Sequence, residues 1–149
     1  MMNMFAKGFD SVLAKLRNVA EKVPATGRKT MHRGADKIVL IAKDMCPFDT
    51  GALEGSIHQE LQYENHGRLA IDIVCGGMVE GVDVDQYAMR IHENYNEMNP
   101  GYGTILKQQR VDVKVGGKFL TRAVDSQKDR LSRDIIEAVI TVAKSEMKQ

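Results

Sequence analysis

The chain has 149 residues, 43% of them hydrophobic and 28% charged, with a net charge of +1. That is one domain's worth of ordinary globular composition, and it excludes a low-complexity chain or a strongly polycationic one. Trp is absent, Phe and Tyr number four each and Met nine, so the expected core is aliphatic with Met filling the gaps.

In chain order, the first 16 residues, MMNMFAKGFDSVLAKL, carry Asp10 and no small-residue cleavage site, and do not read as a signal peptide. Phe5, Phe9, Val12, Leu16, Val19 and Val23 recur at three- and four-residue spacing, one face of an amphipathic helix. Pro24-Ala25-Thr26-Gly27 is expected to interrupt it, and Thr26 to cap a second helix with the stripe Met31, Ala35, Ile38, Ala42 and Met45. Pro47 should stop that helix at Cys46.

Beyond a connector, Ile57, Gln59, Leu61 and Tyr63 alternate with polar neighbours, as do Leu69, Ile71, Ile73 and Cys75. With Asn65-His66-Gly67 as the turn between them, the two runs predict a β-hairpin. Residues 82–88 fit a strand or a short helix. Residues 94–110, rich in Asn, Pro and Gly at the start, predict a long loop, and loops of that length are usually functional. Val111, Val113 and Val115 alternate as a further strand. From Phe119 onward, Leu120, Val124, Leu131, Ile135, Ala138 and Val142 share a helix face, widened by Ile136, Val139 and Ala143.

These elements predict an α+β fold: N-terminal helices, a central antiparallel β-sheet and a long C-terminal helix packed on one sheet face. The expected organisation is a single domain over 1–149. Residues 1–27 form an N-terminal helix that can stand as a peripheral arm, and 94–110 the long loop.

Little in the sequence points to catalysis. His32, His58, His66 and His92 are scattered without metal-ligand spacing, and no Walker or dinucleotide-binding motif is present. Glu80 to Asp85 resembles a calcium loop only in composition. Cys46 and Cys75 give neither a disulfide framework nor a zinc pattern, and are expected as free thiols in a reducing compartment. No run approaches the roughly 18 apolar residues of a membrane span. The expectation is a protein that is not an enzyme and uses no cofactor or metal.

Charge is unevenly placed. Residues 1–48 carry nine Lys and Arg against four Asp and Glu, residues 49–103 two against ten, and residues 104–149 ten against six. If folding keeps these segments apart, one face of a subunit attracts a different face of its neighbour over a Debye length of about 8–10 Å. Lys15, Arg17, Lys22, Arg28, Lys29 and Arg33 make the first helices basic. That supports an alternative reading, a DNA-binding accessory protein.

The most specific stretch is CPFDTGALEGSI, Cys46 to Ile57. Pro47 ends a helix, Asp49 and Thr50 offer oxygens to the next turn, Gly51 permits a backbone closed to other residues, and Leu53 can plug the core. Pro47, Asp49, Thr50, Gly51, Leu53 and Ser56 in this spacing resemble the start of a family of tailed-bacteriophage neck and tail-completion proteins. Its second mark, Tyr-Ala followed by a short apolar stretch and Glu, is found at Tyr87, Ala88 and Glu93. Its third, an aromatic-Leu-x-x-Ala sequence opening the last helix, is found at Phe119, Leu120 and Ala123. The chain departs from the pattern at Asn94-Tyr95, where Glu-x-Gly is usual, and at Gly117-Lys118, where Pro is common.

The resemblance implies a structural virion protein, made in the host cytoplasm and built into the head–tail junction. It would form a homo-oligomeric ring, a hexamer by analogy, as a tail-completion or tail-terminator component that joins connector to tail tube. Its partners would be copies of itself, other neck and tail-tube proteins and, in passing, the genomic DNA in the channel. No membrane is involved. Glu80, Asp83, Asp85, Glu97, Asn99 and Tyr102 are the candidate interface residues, on the acidic segment 80–97 and the loop 94–110.

Overall fold

The structure, a computed structural model, describes residues 3–63 and 69–148. It is an α+β protein. Helix α1 (Asn3–Met45) leads into the one-turn helix α2 (Ala52–Gly55), and the antiparallel pair β1 (His58–Tyr63) and β2 (Leu69–Val74) follows. A second, minimal antiparallel pair is formed by β3 (Met78–Val79) and β4 (Val82–Asp83). Then come α3 (Asp85–Asn94), a 3-10 turn at Tyr95–Glu97, α4 (Tyr102–Arg110) and α5 (Phe119–Lys148).

The chain divides into two compact units, Gly34–Lys128 and the residues on either side of it, with α1 and α5 contributing to both. The first holds the core. The second half of α1 presents Ala35, Ile38, Ala42 and Met45 to it, four of the five residues of the stripe read from the sequence, while Met31 is only half-buried. Leu53 of α2, Ile57, Val84, Ala88, Val115, Phe119 and Ala123 complete it. Burying a ring such as Phe119, fully inaccessible here, contributes about 1.5–3 kcal/mol. The core is aliphatic apart from that ring, as the composition requires.

The expected hairpin is present, and its register sets Leu61 opposite Ile71 and Gln59 opposite Ile73. Gln59 ties it to α1 by donating to Asp36. At the other end Leu120, in the first turn of α5, lines a cavity of about 400 Å³ with Ile73, Val74 and Cys75, so the start of α5 lies against β2. The turn read at Asn65-His66-Gly67 lies outside the described residues, as do the side chains of Phe5, Phe9, Tyr63 and Leu69.

Four expectations are corrected. No break occurs at Pro24-Ala25-Thr26-Gly27: α1 runs through it as one helix of 43 residues. Pro24 removes a single backbone donor, a local cost that the flanking turns outweigh, and Thr26, inside the helix, accepts at its carbonyl from Thr30 Oγ1. The expected central sheet is instead two separate two-stranded ribbons. Residues 94–110 are no loop, since the 3-10 turn and α4 occupy most of them. Val111, Val113 and Val115 form no strand. Gln108 holds that segment instead, its Nε2 donating to Val113 O (2.9 Å) and its Oε1 accepting from Val115 N (2.7 Å), so the backbone groups a sheet would pair are already taken. The ambiguous residues 82–88 are both things in turn, β4 and then the start of α3.

Candidate functional site

The connector after α1 is held from three sides. Gly51 takes φ = 88°, the left-handed region in which glycine is favoured, and starts α2. Thr50 Oγ1 accepts weakly from Ala52 N at 3.4 Å, while Asp49 is exposed. Ser56 Oγ donates to Leu53 O (2.7 Å) and accepts from Gly76 N (3.2 Å), closing α2 and anchoring the end of β2.

The other two holds come from sequence-distant residues. Thr104 Oγ1, from α4, accepts from Phe48 N and donates to Phe48 O, both at 3.0 Å. A Cβ on Gly103 would sit 2.8 Å from that same Phe48 carbonyl, so the close approach of α4 requires glycine. Lys107, 5% exposed, sends its ammonium into the end of α1. It donates to Lys43 O, to Cys46 O (2.7 Å) and to Glu54 Oε2 (2.8 Å). Three donors meet three acceptors, two of them helix-terminal carbonyls at the negative end of the helix dipole. Pro47 was expected to end α1 alone, whereas the termination is shared with Lys107 and with Gly116 N, which donates to Met45 O (2.9 Å).

Sequence reasoning missed α4 and Lys107. The buried face of α4 is polar, Thr104 and Lys107, while Ile105 and Leu106 are exposed. Apolar periodicity therefore pointed nowhere. The available signal was the run Thr104 to Arg110, with no Gly or Pro.

The other two motif segments meet behind the connector. Ala88 is buried, and His92 sets its ring edge-on to Phe119, centroids 4.9 Å apart at 74°. Lys118 N donates to His92 O (2.7 Å) with Lys118 at φ = 57°, which fixes how α5 begins. Arg122 clamps the preceding bend, Nε to Gly117 O and Nη1 to Lys114 O, both at 2.9 Å. Glu93 accepts from Lys118 Nζ and pairs with His92 Nδ1 (2.8 Å). The Lys118 hydrogen bond, then that of His92, holds its carboxyl below the ordinary range. His92 Nε2 and the Tyr95 hydroxyl are buried without a partner among the described residues.

Between connector and α3 lies a pocket of about 500 Å³. Pro47, Phe48, Leu53, Tyr87, Ile91 and Met98 give it apolar walls, and Asp49, Thr50 and Asn99 bring polar groups to it. Thus Pro47, Asp49, Thr50, Gly51, Leu53 and Tyr87 share one pocket, Ala88, Glu93 and Leu120 line the smaller cavity beside β2, and Phe119 and Ala123 are core.

The six candidate interface residues do not form one set. Asp83, half-buried, and Asp85, exposed, both make hydrogen bonds within the chain. Asp83 accepts from Asp85 N and Gln86 Nε2 (3.1 Å each), and Asp85 Oδ1 accepts from Gly77 N (2.9 Å). Glu80, at the β3–β4 turn, and Glu97, Asn99 and Tyr102 are exposed, Tyr102 by 76%.

Both cysteines are free thiols. Burial pushes the Cys46 thiol up to about 12, and burial also raises that of Cys75. Among the described residues no group of three His, Cys, Asp or Glu is placed to hold a metal ion, and no helix is long and apolar enough to cross a membrane. No protein-family model matches the chain, and neither a curated protein nor a solved structure matches it.

Proposed function

We propose that the chain is a structural protein of a tailed-phage virion, a ring-forming neck or tail-completion component that joins the head connector to the tail tube. The observation that carries this reading is the convergence of three segments far apart in sequence. The Pro47–Ser56 connector, Tyr87–Glu93 and Phe119–Ala123, the marks on which the resemblance rests, pack round one core in the unit Gly34–Lys128. They act as structural parts there: a helix stop, a plug, a ring stack and a helix start. Such a unit offers shape and surface to its neighbours, and Glu80, Asp85, Glu97, Asn99 and Tyr102 are its exposed candidates for contact. A cyclic ring uses a heterologous interface, one patch meeting a different patch on the next copy.

Deletion of the gene from its phage tests the proposal. Filled heads and finished tails that stay apart, and join when the purified protein is added, are expected; normal particles would refute it. The alternative, duplex binding by the basic residues of α1, has already lost Lys22 to Glu146, which it meets at 2.5 Å. A salt-dependent gel shift with duplex DNA would revive it.

A further inference from the structure

Among its described side chains, the unit formed by the residues before Gly34 and after Lys128 has no fully buried apolar residue. Among its described residues the one buried side chain is Glu146. Helices gain most of their stability by burying an apolar stripe, and α5 carries two. Leu131, Ile135, Ala138 and Val142 are half-buried, and Val142 shares a cavity of about 320 Å³ with Ala25 and Thr26, so this stripe faces α1. Ile136, Ile140, Ala143 and Met147 form the second, turned about 140° round the helix. Its three large side chains are 57%, 45% and 46% exposed. At the Met147 end, where Lys15 Nζ donates to Met147 O, Val12 and Leu16 of α1 add further exposed apolar surface.

The second stripe runs at four-, three- and four-residue spacing, the period of a coiled-coil seam, so what fits it is another helix. We propose that this helix is α5 of a second copy, running antiparallel across a two-fold axis. Charge selects that occupant and that direction. Glu137 and Lys144 flank the stripe on one side, both exposed and neither in an ion pair among the described residues. Antiparallel pairing about Ile140 sets each Glu137 beside the second copy's Lys144, two opposite-charge pairs from one symmetric contact. A parallel pairing would set Glu137 beside Ser132 and leave both charges unanswered.

This pairing does not rest on the phage reading. A two-fold contact cannot close a ring by itself, so it belongs to the free chain or joins ring to ring.

Sedimentation equilibrium of the full chain tests it. The expected result is a dimer. Ile140→Glu makes it monomeric with helical circular dichroism retained. Glu137→Lys weakens it roughly tenfold, and Glu137→Lys with Lys144→Glu restores the original affinity. A monomeric wild-type chain overturns the proposal. So does an oligomer indifferent to Ile140→Glu, or one that the double reversal fails to restore. Charge reversals at two exposed sites leave the fold intact, so they decide the matter even if Ile140→Glu does not fold.

Discussion

Lys107 is a buried ammonium whose three partners, Lys43 O, Cys46 O and Glu54 Oε2, lie in two different elements. Its removal leaves a carboxylate and two helix-terminal carbonyls without their donor. Lys107→Met is therefore expected to lower stability by about 3–5 kcal/mol, read as a fall in the urea midpoint at an unchanged slope. Glu93 makes a prediction about pH. Its folded carboxyl is held below the ordinary value of 4.5 by Lys118 and then His92. A depressed acid contributes stability above its unfolded value and loses it as the pH falls through the folded one. The melting temperature of the wild type should thus exceed that of Glu93→Gln at neutral pH. The gap should close as acid protonates Glu93 in the folded chain, and thermal scans across the acid range would measure it. A gap that persisted in acid would mean that the pairing with Lys118 and His92 does not stabilise the fold.

Helices α1 and α4 show how far apolar spacing reaches. The stripe of α1 from Ala35 to Met45 was legible because its partners are aliphatic and its period unbroken. Pro24 misled, because one missing donor in a helix of 43 residues is a local cost only. Pro24 is exposed and in mid-helix, so Pro24→Ala should stabilise α1 by about 1–3 kcal/mol. Calorimetry would read that as a raised transition, and a drop would show that the proline has a role of its own. In α4 the buried positions are Thr104 and Lys107, whose burial is repaid by hydrogen bonds to groups some 60 residues away in the chain. Local composition holds no trace of those acceptors.

At the scale of the molecule, the acidic segment divides between fold and surface. Asp85→Ala should destabilise the isolated chain by about 1 kcal/mol, because the Gly77 N–H loses its acceptor. The pair Glu97→Lys and Tyr102→Ser should leave the isolated chain within about 0.5 kcal/mol of wild type, since both side chains are exposed. If the proposed function holds, that same pair should fail to join heads to tails in a complementation assay. Normal joining would remove 97–102 from the interface.

The sequence by itself determined the α+β class, the long C-terminal helix, the β-hairpin and the backbone freedom needed at Gly51. Each follows from a local rule of period, turn chemistry or backbone freedom, and needs no partner to be read. Only the tertiary structure decided that residues 94–110 become a 3-10 turn and a helix, that Lys107 caps α1, and that Asp85 accepts from Gly77 N. Those outcomes depend on which distant donor finds which acceptor once burial has removed water, and spacing along the chain does not record that.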